Sequence, residues 1–277
     1  MTAQAQTDLL TLAQATAVAA GELALLRRSE GVEVAASKSA PEDIVTHADR
    51  ETEGLIRRML AQARPDDGFL GEESDPTPGS SGLTWVVDPI DGTVNFLYGI
   101  PAWAISIAVV EGDPDPATWN TLAGVVLNPV TGEMFTASAG GGSFLGSERL
   151  AVKTDVELPL ALLGTGFSYS ASRRVRQARV VEGLIGRVRD IRRIGSAALD
   201  LCSVAAGRLD LYYERGLNPW DQAAGALIAR EAGARVGAFG DQREGSDLLI
   251  AGVPGVYSAI EPILSGLFAE HMGESEG

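Results

Sequence analysis

The sequence predicts a layered α/β (α+β) fold. Three observations predict it: an N-terminal stretch of helical periodicity, a middle of short β-branched runs separated by turn residues, and a second half in which such runs alternate with amphipathic segments. A chain of 277 residues is long enough to bury roughly three quarters of its unfolded surface, in one large domain or two. Gly140, Gly141 and Gly142 mark a loop where two halves meet, so the halves are drawn at 1–142 and 143–277.

Residues 8–28 read as a helix, with Leu9, Leu12, Ala13, Leu23 and Leu26 among its apolar positions, and a second helix follows Asp49 with Leu55, Ile56, Met59 and Leu60. Strands follow at Leu70, 85–87, 105–109, 122–127 and 133–137, the last two joined by the turn Asn128-Pro129-Val130-Thr131-Gly132. In the second half, strands at 160–164 and 190–194 flank an arginine-rich helix over 173–187. Helices at 197–206, 222–232 and 256–268 then alternate with strands at 209–213, 234–239 and 248–251.

Composition narrows the function classes. A net charge of −15 argues against a general nucleic-acid binder and would repel an anionic substrate unless metal ions reversed the local field. No apolar run approaches the ~18 residues of a membrane span, and the N-terminus lacks both a basic cluster and an apolar signal core, so a cytoplasmic protein with no membrane partner is expected. The single cysteine, Cys202, reads as a buried inert thiol. Eight arginines between Arg173 and Arg193 stand out in an acidic chain; they read as a solvated face, with docking of an acidic partner or attraction of an anionic substrate as alternatives.

The chemistry concentrates in Asp88-Pro89-Ile90-Asp91-Gly92-Thr93, which follows the apolar run Thr84-Trp85-Val86-Val87. Proline fixes φ, so the chain turns after the strand and brings Asp88 and Asp91 toward one point. Gly92 lets backbone amides approach an anion, and Thr93 adds a hydroxyl at a helix N-terminus. An ordinary surface turn is the alternative. Gly71-Glu72-Glu73-Ser74 again places acids at a strand end, and Asp221 opens an amphipathic segment that it could simply cap. Glu72, Asp88, Asp91 and Asp221 in one cleft would repel one another without cations between them. An all-oxygen set without Cys or His suits magnesium or manganese, whose chemistry is phosphate-ester hydrolysis.

These segments resemble the signatures of the inositol monophosphatase family: Gly71-Glu72-Glu73-Ser74, the run from Trp85 to Phe96, and Trp220-Asp221-Gln222-Ala223-Ala224-Gly225, in the family's order. The resemblance extends through Lys38-Ser39-Ala40-Pro41-Glu42-Asp43-Ile44-Val45-Thr46 with Asp49, through Gly195-Ser196-Ala197-Ala198, and through Asp210-Leu211-Tyr212-Tyr213-Glu214. It implies an α-β-α-β-α sandwich of the inositol monophosphatase and fructose-1,6-bisphosphatase type, with an antiparallel first sheet and a mixed second one. It also implies two to three magnesium ions, with manganese a possible substitute. Glu72, Asp88 and the Ile90 carbonyl would hold the first ion, Asp88, Asp91 and Asp221 the second, and Glu72 a weaker third. The attacking water would lie near Glu72 and Thr93, with Thr93 oriented by Asp49, and attack would be in line without a phospho-enzyme. The amides of Gly92 and Thr93 would hold phosphate oxygens, while Asp91, the Ala197 backbone and Glu214 would read the hydroxyls of the alcohol.

The residues and the resemblance together point to magnesium-dependent hydrolysis of inositol monophosphate; the resemblance further implies a homodimer and inhibition by lithium. Alternatives on the same scaffold are fructose 1,6-bisphosphate, NADP, histidinol phosphate or a nucleotide 3′-phosphate; a regulatory protein docking to the transcription machinery is the alternative of another class.

Overall fold

The computed structural model describes residues 2–32, 34–37 and 44–273. Of the segment 38–46 that carries part of the resemblance, 38–43 lie outside the described residues. Helix α1 (Ala3–Glu30) leads into the two-stranded pair β1 (Val34–Ser37) and β2 (Ile44–Thr46), then α2 (His47–Ala63). Seven strands form the first sheet in chain order: β3 (Gly68–Gly71), β4 (Leu83–Asp91), β5 (Ala104–Glu111), β6 (Asn120–Asn128), β7 (Glu133–Ser138), β8 (Gly142–Leu145) and β9 (Glu148–Arg149). The six-residue helix α3 (Thr93–Tyr98) interrupts β4 and β5.

Two expectations are corrected in this sheet. It is not wholly antiparallel, because β3 pairs parallel with β4 while every other pair in it is antiparallel. The register Gly71↔Val87 sets Glu72 beside Asp88 at one end of both strands, an outcome an antiparallel hairpin could not give. Nor does the chain turn at Pro89: β4 runs on to Asp91, and Pro89-Ile90 form a bulge against β5, between the partners Asp88↔Ser106 and Asp91↔Ala104. A bulge tolerates a residue with no N–H to give the ladder.

The face of α1 that packs on this sheet is built from small residues, Ala13, Ala17, Ala20 and Ala24, whereas Leu26 is exposed. Small side chains let the helix lie close; a Cβ on Gly21 would come within 3.0 Å of Pro129. The expectation that no segment reaches membrane-spanning size needs amendment, since the helix over Gln4–Glu30 is long and apolar enough by length and composition. Its alanine-rich face is instead spent on the protein core, together with Ile56 and Leu60 of α2.

The half drawn at 143–277 opens inside β8 and with β9 of the first sheet, since Gly142 already pairs with Ser138 in the β7–β8 hairpin; after a 3₁₀ turn at Leu158–Leu160 it contains β10 (Leu162–Thr165), α4 (Ala171–Ile185), β11 (Asp190–Arg192), α5 (Ala197–Ala205), β12 (Leu211–Glu214), α6 (Pro219–Glu231), β13 (Arg235–Gly237), β14 (Leu249–Gly252) and α7 (Pro254–His271). Its sheet has the order β11-β10-β12-β14-β13 and is mixed. Helices α5 and α6 lie between the two sheets. Ala198, Cys202, Ala224 and Leu227 pack on Val86, Ala104 and Ala108 of the first, and Leu201, Val204, Ala226 and Ala229 on Tyr212, Leu249 and Ala251 of the second. Helices α4 and α7 cover the outer face, through Val180, Leu184, Val256 and Ile260. The layers are therefore α-β-α-β-α. Burial on two sides explains why α5 and α6 are rich in Ala. Glu231 of α6 accepts from the amides of Gly140 and Gly142 at 2.8 and 2.9 Å, and Arg208 pairs with Glu133, so the two halves are joined by polar contacts as well as by apolar packing.

Candidate active site

The acids of the site converge because of the bulge in β4. In a regular strand, residues three apart point to opposite faces. Val86 packs toward α5 and α6, which is the side Asp88 shares, while Trp85 and Val87 face α1 and α2. The extra residue at Pro89-Ile90 reverses the alternation, so Asp91, paired with Ala104, returns to the side of Asp88. Asp221, in the first turn of α6, points into the same space. Oxygens of Asp88, Asp91 and Asp221 all lie within 4.8 Å of one another. Capping and clustering coexist at Asp221, whose Oδ2 accepts from the Asn218 amide at 2.7 Å.

Each acid is fixed by neighbours. Asp88 Oδ1 accepts from the Ile90 amide at 3.0 Å, and Asp91 Oδ2 from the Ala198 amide at 2.8 Å and from the Ser196 hydroxyl. Glu72 lines the same cleft, at the end of β3. Its loop is anchored by Glu53 of α2, a buried carboxylate that accepts from the Glu73 amide at 2.8 Å and from the Ser74 hydroxyl. Gly71 leaves room for that carboxylate, since a Cβ there would come within 2.2 Å of Glu53 Oε2.

Thr93 begins α3 immediately after Gly92, whose φ of +98° places it in the left-handed region. A Cβ on Gly92 would stand 3.0 Å from the Ala102 carbonyl and 3.1 Å from that of Gly195, so conformation and crowding both demand glycine. Thr93 Oγ1 lies 3.1 Å from Asp49 Oδ1 and 3.1 Å from the Ile90 carbonyl. Asp49 is the third residue of the α2 capping box; its Oδ2 accepts from the Thr46 amide and hydroxyl.

A cavity of about 420 Å³ is lined by these acids, by Glu214 at the end of β12 and by Ala197 at the start of α5, whose backbone lies beside Asp91. Glu214 Oε2 accepts from the buried Tyr212 hydroxyl, and its carboxylate lies against Gly166, where a Cβ would come within 1.8 Å of it. Arg173 and Arg193 line the rim of this end. The arginine-rich segment thus divides: these two face the cleft, while Arg179, Arg187 and Arg189 are exposed elsewhere.

The electrostatics are those of crowded, buried carboxylates. Burial first, then Glu72, Asp91 and Asp221, hold Asp88 well above the usual carboxylate range. Burial and Glu72 do the same to Asp221. Asp91 is pushed up to about 6 by burial, opposed by its bonds from Ser196, Ala198 and Ala197. Asp49 rises to about 6, mainly by burial, and Glu214 to about 7 by burial against the Tyr212 bond. Oxygen donors of this density, with no thiol or imidazole among them, fit a hard divalent cation.

Some residues of the site were not foreseen. Glu53, Ser196 and Gly166 act on the named residues rather than on a substrate. Asp200, on α5, lines the cleft with 2% of its surface exposed. Its signal in the sequence is a lone acid inside the otherwise apolar run Ala197-Ala198-Leu199-Asp200-Leu201-Cys202.

A five-layer sandwich with clustered carboxylates at the seam of its two sheets is the architecture of a metal-dependent phosphatase. The chain belongs to the inositol monophosphatase family, whose model matches residues 5–272. It is 46% identical over 258 residues to the inositol-1-monophosphatase SuhB of Mycobacterium tuberculosis, covering 86% of this chain and 87% of that one. It is 43% identical over 196 residues to the Nus factor SuhB of Xylella fastidiosa, covering 70% and 68%. Among solved structures, the IMPase of Thermotoga maritima superposes with a TM-score of 0.84 at 30% identity, over 95% of this chain and 99% of that one.

Proposed function

We propose that this phosphatase hydrolyses inositol monophosphate to inositol and phosphate with magnesium as its cofactor. The observation that carries the reading is one cleft that holds both the Asp88, Asp91 and Asp221 oxygens, within 4.8 Å of one another, and Glu214 with the Ala197 backbone. Asp88, Asp91, Asp221, Glu72 and the Ile90 carbonyl would hold the ions. Bound there, magnesium supplies a Lewis acid for the phosphoryl oxygens and lowers the pKa of water.

The chain's own residues do the rest. Asp49 fixes the Thr93 hydroxyl, so that a water proton passes to Thr93 Oγ1 as the threonine's proton moves to Asp49 Oδ1. The amides of Gly92 and Thr93, at the N-terminal end of α3, hold phosphate oxygens. Glu214 accepts hydrogen bonds from neighbouring hydroxyls of the alcohol, and the Tyr212 bond fixes its orientation. A panel of phosphate esters assayed at matched magnesium tests the assignment. Preference for inositol 1-phosphate is expected; preference for histidinol phosphate, fructose 1,6-bisphosphate, NADP or a nucleotide 3′-phosphate would replace it.

A homodimer is part of this proposal. Tyr98, 73% exposed, and Ile100 form an apolar surface at the end of α3, beside Arg28 of α1. Light scattering of the wild type and Tyr98→Arg tests it. A second reading, docking to the transcription machinery, draws on the relative named a Nus factor and on exposed Arg179, Arg187 and Arg189. Asp88→Asn would abolish hydrolysis and spare docking; reversing those three arginines would do the opposite.

A further inference from the structure

Two glycines shape the alcohol end of the cleft. Gly164, in β10, and Gly166, just after it, are two residues apart and so present the same face of an extended chain. Carboxylates lie over both: a Cβ on Gly164 would stand 3.2 Å from Asp200 Oδ1, and one on Gly166 would stand 1.8 Å from Glu214 Oε2. Asp200 is three residues from Ala197 on α5, which puts the two on one side of the helix. Glu214, Ala197 and Asp200 all line the same cavity.

Asp200 differs from the other buried acids in how it is satisfied. Asp91 is bonded by Ser196 and Ala198, Glu53 by Glu73 and Ser74, and Asp210 by Lys153 and the Leu162 amide. Asp200 Oδ1 is buried with no hydrogen-bond partner. Arg193 is the cation whose charge acts on Asp200, yet among the described residues no ion pair joins the two, and Arg193 is exposed. A buried carboxylate oxygen without a partner lowers stability, so a residue kept there at such a cost points to a ligand in the cavity that Asp200 lines. A polyol, which offers several adjacent O–H donors, is the ligand chemistry that two neighbouring carboxylates suit.

We infer that Asp200 is a specificity residue of this site, accepting a hydrogen bond from a hydroxyl of the alcohol next to the one read by Glu214. The inference rests on the polyol reading proposed above and adds a second side-chain reader to it. Its consequence is selectivity for alcohols bearing at least two neighbouring hydroxyls on the side of Asp200 and Glu214.

The test compares wild type, Asp200→Asn and Asp200→Ala in the full chain, with inositol 1-phosphate and with p-nitrophenyl phosphate, whose alcohol has no further hydroxyl. The expected result is a fall in kcat/KM for inositol 1-phosphate of about 10-fold for Asn, which keeps one acceptor, and about 100-fold for Ala, carried mostly by KM. Rates on p-nitrophenyl phosphate should stay within about 2-fold, and the Asn variant should melt at or above the wild-type Tm. Equal losses on both substrates, or a lowered Tm for Asp200→Asn, would make Asp200 a structural residue and overturn the inference. An unchanged selectivity ratio would overturn it as well, leaving the inositol reading intact. A wild type with no preference for inositol 1-phosphate would remove both, and that outcome is visible before any variant is made.

Discussion

Asp88→Asn should make the metal-free protein more stable while destroying its activity. Asp88 is 2% exposed, and oxygens of Asp91 and Asp221 lie within 4.8 Å of its own. At an effective dielectric of about 20, each such pair of full charges costs ~3.5 kcal/mol, and the substitution removes two pairs. Protonation of the wild-type cluster caps that cost, which leaves an expected gain of ~3 kcal/mol, or about 5–10 °C in Tm for a chain of this size. The sign with pH follows from linkage. These carboxyls hold their protons to higher pH in the folded state, so their contribution is fully present below the usual carboxylate range and is lost as pH rises, through about 6 for Asp91 and higher for Asp88 and Asp221, which burial and their neighbours raise further. The gain from Asp88→Asn should therefore be clear at pH 8 and small at pH 5. Magnesium should restore the wild type, by ~2.7 kcal/mol at 100 times its Kd, and help the variant far less. Melting curves in EDTA and in magnesium at both pH values, beside phosphate release, measure all of this. A variant that melts below wild type in EDTA at pH 8 would show that repulsion among these carboxylates does not destabilise the metal-free fold.

Other predictions follow from single contacts. Thr93→Val should lower kcat by ~10²–10³ with KM within a few-fold, and Asp49→Asn should remove an acid limb of the pH-rate profile near pH 6, both read from steady-state kinetics. Glu53→Ala deletes two hydrogen bonds to a buried carboxylate and should cost ~3 kcal/mol in urea unfolding; because the freed loop carries Glu72, the magnesium concentration for half-maximal rate should also rise. Lithium should inhibit turnover in a titration at fixed magnesium, and a flat response would count against the family mechanism for this chain.

The helices and strands were largely legible in the sequence, because most segments have a clear period. The first sheet shows where that ends. Periodicity locates β3 and β4 but says nothing of their parallel pairing, which decides that Glu72 stands beside Asp88. Pro89 looked like a bend because proline ends most strands; only the pairing partner β5 reveals a bulge that keeps the strand going and turns Asp91 to the side of Asp88. The acids themselves were legible as chemistry, since carboxylates at strand ends have few structural uses. Their supports were not. Glu53 is one acid in a helix full of charges, and its partner loop lies 20 residues on. Asp200 left a trace as an acid in an apolar run, but whether such an acid is bonded or orphaned is a tertiary fact.

The proposed chemistry requires carboxylates from both halves of the chain to gather around divalent ions. A manganese-soaked crystal recorded at the manganese absorption edge tests it directly. Anomalous peaks are expected between Asp88, Asp91 and Asp221, with Glu72 beside one of them; peaks elsewhere, or none within reach of those side chains at saturating manganese, would rule the cation site out.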